Sequence, residues 1–71
     1  MNPVCYDIMR FLRQNPRSSH MEIAKSLGIP RSTISQHIAK LKQDQWVRVI
    51  WNYRDARKPL VELTEYGFFL S

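Results

Sequence analysis

Over the first 45 residues, hydrophobic positions recur at helical spacing; beyond them they change to short strand-like runs. Val4, Ile8, Phe11 and Leu12 follow one another at separations of four, three and one, which puts an apolar stripe on one side of a helix. Asn2 is a capping residue for that helix, and Pro3 stands in its first turn, where a missing N–H costs nothing. Asn15-Pro16 ends it, because proline disfavours helical geometry in the residue before it. A second helix starts at Ser19, with Glu22 three residues on completing the capping-box pattern. Ile23, Ala24 and Leu27 face inward, and Gly28 supplies the left-handed turn that stops this helix. Ile29 is an apolar plug in the turn. Pro30 opens a third helix, about Arg31 to Lys42, with Ile34, Ile38 and Leu41 on one face.

The pattern then changes period. WVRVIW at 46–51 and PLVEL at 59–63 are β-rich, and the polar loop of seven residues between them, NYRDARK, is too long for a tight hairpin. It is expected to project. Pro59 stands near the start of its strand, where a lost ladder donor is tolerated. Thr64 caps a last helical turn carrying Tyr66, Phe68, Phe69 and Leu70. The order predicts an α+β fold, a small winged helix-turn-helix with three helices, a two-stranded hairpin wing and a short C-terminal helical turn. The helix-turn-helix covers about 19–42 and the wing about 46–63. At 71 residues the chain is expected to be one domain, 1–71, with a small core.

Charge sharpens this picture by its placement. The net charge is +5. Residues 31–58 carry Arg31, Lys40, Lys42, Arg48, Arg54, Arg57 and Lys58 against Asp44 and Asp55, whereas the last 13 residues carry only Glu62 and Glu65. Positive charge therefore gathers on the third helix and the wing, as expected for a polyanion partner. On the third helix, Arg31, Ser32, Ser35, Gln36 and Lys40 lie opposite the apolar face, with Thr33 and His37 towards the edges. The helix has no acid before Asp44, whereas an ordinary solvent face more often carries Glu–Lys pairs. Short polar side chains, an amide and flanking cations suit a groove lined by base edges and phosphates. Gln36 is the leading candidate for base readout, since an amide pairs bidentately with adenine. Ser19 and His20, at the start of the second helix, are candidates for a phosphate contact.

Other chemistries find little support. His20, His37 and Cys5 have no recognised metal-ligand spacing, and no nucleophile stands with a base and an orienting acid. Neither a metal, a cofactor nor an enzymatic activity is expected. A single cysteine cannot form an internal disulfide, and Cys5 is read as a small buried hydrophobe. No apolar run approaches the roughly 18 residues of a membrane span, and the N-terminus lacks a secretory pattern, so a cytoplasmic location without membrane contact is expected.

The segment EIAKSLGIPRSTISQHIAKL resembles the helix-turn-helix of bacterial and archaeal winged-helix regulators. The continuation DARKPLVELTEYG is similar to the wing and exit of the MarR family of transcription regulators. That family shows Asp-x-Arg at the wing, five residues, then Leu-Thr-x-x-Gly; Asp55, Arg57, Leu63, Thr64 and Gly67 fall at those positions. The resemblance implies a double-stranded DNA-binding regulator in which Arg57 enters or grips the minor groove and Asp55 orients it, with Arg54 and Lys58 beside them. It further implies a homodimer, here formed through the first helix and the tail, with Trp51, Phe68, Phe69 and Leu70 as the candidate interface. MarR regulators dimerise through helices at both ends of a longer chain and bind effectors between those helices and the DNA-binding part. A small-molecule effector is therefore not expected. Gln45 stands where that family commonly has glycine, which predicts a differently shaped turn before the first wing strand. A repressor that occludes its promoter is the leading expectation. Two others compete: an accessory regulator like the short fimbrial PapI type, acting beside a larger DNA-bound partner, and a winged helix that binds protein.

Overall fold

The computed structural model describes residues 2–51 and 59–70, and of Leu70 the backbone alone. Helix α1 (Pro3–Gln14) begins as its sequence requires, with the Asn2 side chain accepting a hydrogen bond from the Val4 N–H at 2.8 Å. Its buried face is Cys5, Ile8, Met9 and Leu12. The expected stripe was centred one step away: Val4 and Phe11 are only half-buried, and Met9 takes the inward place. An unbranched thioether fills an irregular gap between helices more readily than a ring does.

Two residues, Ser18 and Ser19, form a short strand β1 directly before α2 (His20–Leu27). This corrects the expected two-stranded wing, because the sheet has three strands in the order β1, β3, β2. Ser18 lies fully buried opposite Val61, and its hydroxyl donates to the Asn15 carbonyl at 2.8 Å. Nothing apolar marks β1 in the sequence, since its serines are held by pairing and not by hydropathy. The Ser19 hydroxyl also accepts from the Glu22 N–H at 3.2 Å, starting α2. Gly28 closes α2 in the left-handed region at φ 66°, and the N–H groups of Gly28 and Ile29 both reach the Ala24 carbonyl.

Helix α3 (Arg31–Gln43) follows, and its end repeats the same device without glycine. Gln45 takes φ 64°, while the Trp46 N–H reaches back to the Leu41 carbonyl at 2.9 Å. Strands β2 (Val47–Ile50) and β3 (Leu60–Leu63) then pair antiparallel, Val47 opposite Leu63 and Ile50 opposite Leu60. Both strands are shorter than the sequence runs suggest, leaving Trp46, Trp51 and Pro59 outside the ladder. Their alternation puts Val47 and Val61 in the core and Arg48 and Glu62 on the other face.

Glu62 occupies the middle strand between two arginines, Arg48 at 2.9 Å and Arg17 at 3.5 Å. The register dictates this, because Arg48 is the direct cross-strand partner of Glu62 and Arg17 immediately precedes β1. Both arginines are largely exposed, so the bridges fix register more than they add stability.

Helix α4 (Glu65–Leu70) is clamped where α3 passes into β2. The Thr64 hydroxyl donates to the Gln45 carbonyl at 2.7 Å and accepts from the Gly67 N–H at 3.0 Å. Tyr66 packs edge-on against Trp46, ring centroids 5.8 Å apart. A Cβ at Gly67 would collide with the Trp46 carbonyl, so glycine is required here by close approach. The core that all these elements share is Cys5, Ile8, Met9, Leu12, Ile23, Ala24, Ile34, Ile38, Leu41, Val47 and Val61.

Candidate nucleic-acid interface

Helix α3 is anchored on one line and open on the opposite one. Ile34, Ile38 and Leu41 are at most 2% exposed, which fixes the rotation of the helix about its axis. At 100° per residue the line opposite them runs through Ser32, Gln36, Ala39 and Gln43, and all four are exposed. Arg31 and Lys42 lie exposed along one flank and Lys40 along the other. Ser35, expected on the open face, is half-buried on the Arg31 flank; Ala39 holds the outward place instead. Ala39 escaped notice in the sequence because it carries no polar group, and Gln43 because it lies one residue beyond the expected end of the helix at Lys42, although the same 100° step would have found both. Thr33 and His37 are half-buried edge positions, as expected. His37 turns towards α1, its Nδ1 3.6 Å from the Cys5 Sγ. Burial pushes that thiol's pKa up, which keeps Cys5 a neutral packing group.

At the other end of the motif, Ser19 and His20 differ in what they offer. Ser19 has its hydroxyl committed to the Glu22 N–H. His20 is half-buried, and its Nε2 is shut away from solvent with no hydrogen-bond partner among the described residues. Burial, and secondarily the Arg31 guanidinium, hold His20 below the usual imidazole range. His20 and Arg31 line one hollow with Glu22, Lys25 and Pro59, so the starts of α2 and α3 face a common space.

This arrangement presents a helix whose outward line bears no acid and whose flanks carry cations, seated on a second helix through a left-handed turn. The family model described as winged helix-turn-helix DNA-binding matches residues 2–48, about two thirds of the chain. The chain belongs to the winged helix-turn-helix DNA-binding family. No curated protein matches its sequence. Among solved structures, the PcaV transcriptional regulator of Streptomyces coelicolor, in complex with its natural ligand, matches 99% of this chain and 50% of its own, at 21% identity and TM-score 0.93. BpsR of Bordetella bronchiseptica, whose DNA binding is regulated by 6-hydroxynicotinic acid, matches 99% of this chain and 50% of its own, at 27% identity and TM-score 0.92. The E. coli MarR mutant C80S complexed with operator DNA matches 94% and 48%, at 22% identity and TM-score 0.88. The chain thus spans about half the length of the structures it matches. The resemblance to the DNA-binding domain of MarR-family regulators holds in the fold, and the matched proteins are regulators and not enzymes.

In this winged helix-turn-helix, the strands that carry the wing are in place on either side of it. The wing residues Arg54, Asp55, Arg57 and Lys58 lie outside the described residues. The molecule also shows exposed aromatic residues: Phe68 is 50% and Phe69 86% exposed on α4, and Trp51 is 61% exposed at the other end of the β2–β3 ladder. The Arg13 guanidinium of α1 sits 4.6 Å from the Phe68 ring centroid, tying α1 to α4. The side chain of Leu70 lies outside the described residues. Among the described residues no three His, Cys, Asp or Glu side chains converge as a metal site, and no helix is long and apolar enough to cross a membrane.

Proposed function

We propose that this chain is a sequence-specific, double-stranded DNA-binding transcription regulator, a cytoplasmic repressor that occludes its promoter, and that residues 1–71 act as one domain. The observation that carries this reading is the open face of α3, free of acids from Arg31 to Gln43 and bordered by Arg31, Lys40 and Lys42. In the reading, α3 enters the major groove, with Gln36 on a base edge and Arg31, Ser32, Thr33, Ser35, His37 and Lys40 on neighbouring bases or phosphates. The start of α2 meets the backbone through Ser19 and His20. His20 does so by its main-chain N–H, since its ring Nε2 is buried. The wing reaches the adjacent minor groove or backbone through Arg54, Arg57 and Lys58, with Asp55 orienting Arg57.

A homodimer formed through α1 and α4 is part of the proposal, supported by the exposed Phe68 and Phe69 on α4, with Trp51, at the other end of the β2–β3 ladder, as a further candidate contact. Two copies of α3 would then read half-sites about one DNA turn apart. A small-molecule effector is not part of the proposal. The same exposed aromatics favour one second reading, a regulator of the PapI type or a protein-binding winged helix that docks on a larger partner.

Fluorescence anisotropy on random and selected duplexes over a range of salt tests the proposal. Affinity should fall steeply with salt, and Arg57→Ala should weaken every duplex and lower the log–log salt slope by about 1. An unchanged slope would remove the wing from the mechanism. Absence of binding at low salt would favour the protein-docking reading, in which changes at Trp51 or Phe68 abolish the interaction and changes at Gln36 or Arg57 do not.

A further inference from the structure

The geometry points to an A·T-centred half-site, read by Gln36 together with Ala39, and not to a guanine-centred one; this rests on the proposed docking of α3 in the major groove. The major groove is about 12 Å wide, so a helix lying in it turns its outermost line to the base edges and its flanks to the two phosphate walls. The buried line of Ile34, Ile38 and Leu41 fixes which residues are outermost, namely Ser32, Gln36, Ala39 and Gln43. None of these four is charged. The cations of α3 stand on the flanks, Arg31 and Lys42 on one side and Lys40 on the other, where phosphates lie.

Guanine is most often read by Arg or Lys forked onto O6 and N7, and no such residue occupies the outermost line. Gln36 instead brings a donor and an acceptor in one plane, the complement of adenine N6 and N7. Ala39 lies three residues on, nearly one turn further along, on the same line, and exposes a bare methyl group. Its complement in the groove is the C5-methyl of thymine. Side by side, the two residues match an adenine and a nearby thymine. Ser32 contacts either base type and adds no bias. Gln43, at the C-terminal end of a 13-residue helix about 20 Å long, lies farthest along the outermost line from Ser32.

Selection from a random duplex library with the purified chain tests this, run in parallel for the wild type, Gln36→Ala and Ala39→Ser. The expected wild-type motif has adjacent or near-adjacent A·T pairs at the centre of each half-site. Gln36→Ala should relax the adenine preference by about 5- to 150-fold, the range of one bidentate contact. Replacing the paired thymine by deoxyuridine should weaken wild-type binding about fourfold, the worth of one methyl group. That penalty should vanish in Ala39→Ser, which isolates the methyl–methyl contact as a double-mutant cycle. Both positions are exposed, so circular dichroism should show the variants folded.

A motif centred on G·C, or an A·T motif unmoved by either variant, would overturn the inference and leave the proposed function standing. Binding without any enrichment would overturn both the inference and the sequence specificity of the proposed function. Failure to bind any duplex at low salt would overturn both.

Discussion

Gln45 shows how a single backbone angle can hold stability in reserve. A non-glycine residue in the left-handed region costs about 1–2 kcal/mol, and Gln45 adopts φ 64° because the turn from α3 into β2 demands it. Gln45→Gly should therefore stabilise the fold by about 0.5–1 kcal/mol, after allowing for the greater freedom of glycine in the unfolded chain. Urea denaturation at unchanged m-value would read this; a loss of stability would mean that the glutamine side chain makes a compensating contact. His20 gives the second prediction at this scale. Its folded pKa is depressed below 6.5 by burial first and by Arg31 second, so the unfolded chain binds more protons in that region. The stability is then full above about pH 6.5 and falls as the pH drops below it. Lys25 and Glu22 line the same hollow as His20 and Arg31. Melting temperatures recorded from about pH 5 to 8 should lose that downward limb in His20→Gln, and an identical limb in the variant would assign the effect elsewhere.

Among the elements, α4 is held by a few identifiable contacts besides the Arg13–Phe68 one. It hangs on the Thr64 hydroxyl, the Trp46–Tyr66 ring pair and the bare α-carbon of Gly67. Gly67→Ala forces a methyl group into the Trp46 carbonyl, which belongs to backbone and has little room to move. The expected cost is about 1–3 kcal/mol, with a change in tryptophan fluorescence as Tyr66 leaves Trp46. A variant as stable as the parent would show that α4 can lift without penalty. The same clamp explains in physical terms why Leu63, Thr64 and Gly67 stand at fixed spacing. Leu63 ends the strand paired to Val47, Thr64 caps the helix, and Gly67 lets that helix approach the start of β2. For α3, the apolar spacing of Ile34, Ile38 and Leu41 settles both its helicity and its rotation, so most of the candidate interface was legible beforehand. Ser35 was misplaced because a residue about 100° from the centre of a face can fall on either side of its border.

For the whole molecule, the cations of α3 and the exposed rings of α4 stand on different elements. The open side of α3 carries cations, whereas Phe68 and Phe69 expose large rings at the C-terminal helix. Such rings are what a self-associating surface needs at its centre. Phe68→Asp with Phe69→Asp should give monomers in sedimentation velocity and reduce affinity for a two-half-site duplex far more than for a single half-site. A dimer that persists would move the interface to other residues. Because Phe68 also carries the Arg13 guanidinium, the double variant should be checked for an intact fold by its thermal transition.

The linear sequence determined the helices, their caps and the turn at Gly28, because these depend on neighbours within about five residues and on a single apolar period. It also determined where the positive charge gathers, since that is a property of composition along the chain. Only the tertiary structure decided the rest. The β1 strand exists because Ser18 and Ser19 find Val61 and Leu60 more than 40 residues away, a pairing that no local signal encodes. The inward turn of Met9, the burial of His20 and the approach of Gly67 to Trp46 likewise follow from how helices and sheet meet. The outward place of Ala39 combines both kinds of information. Period supplies the direction, and the packing of Ile34, Ile38 and Leu41 into the shared core makes that direction the surface.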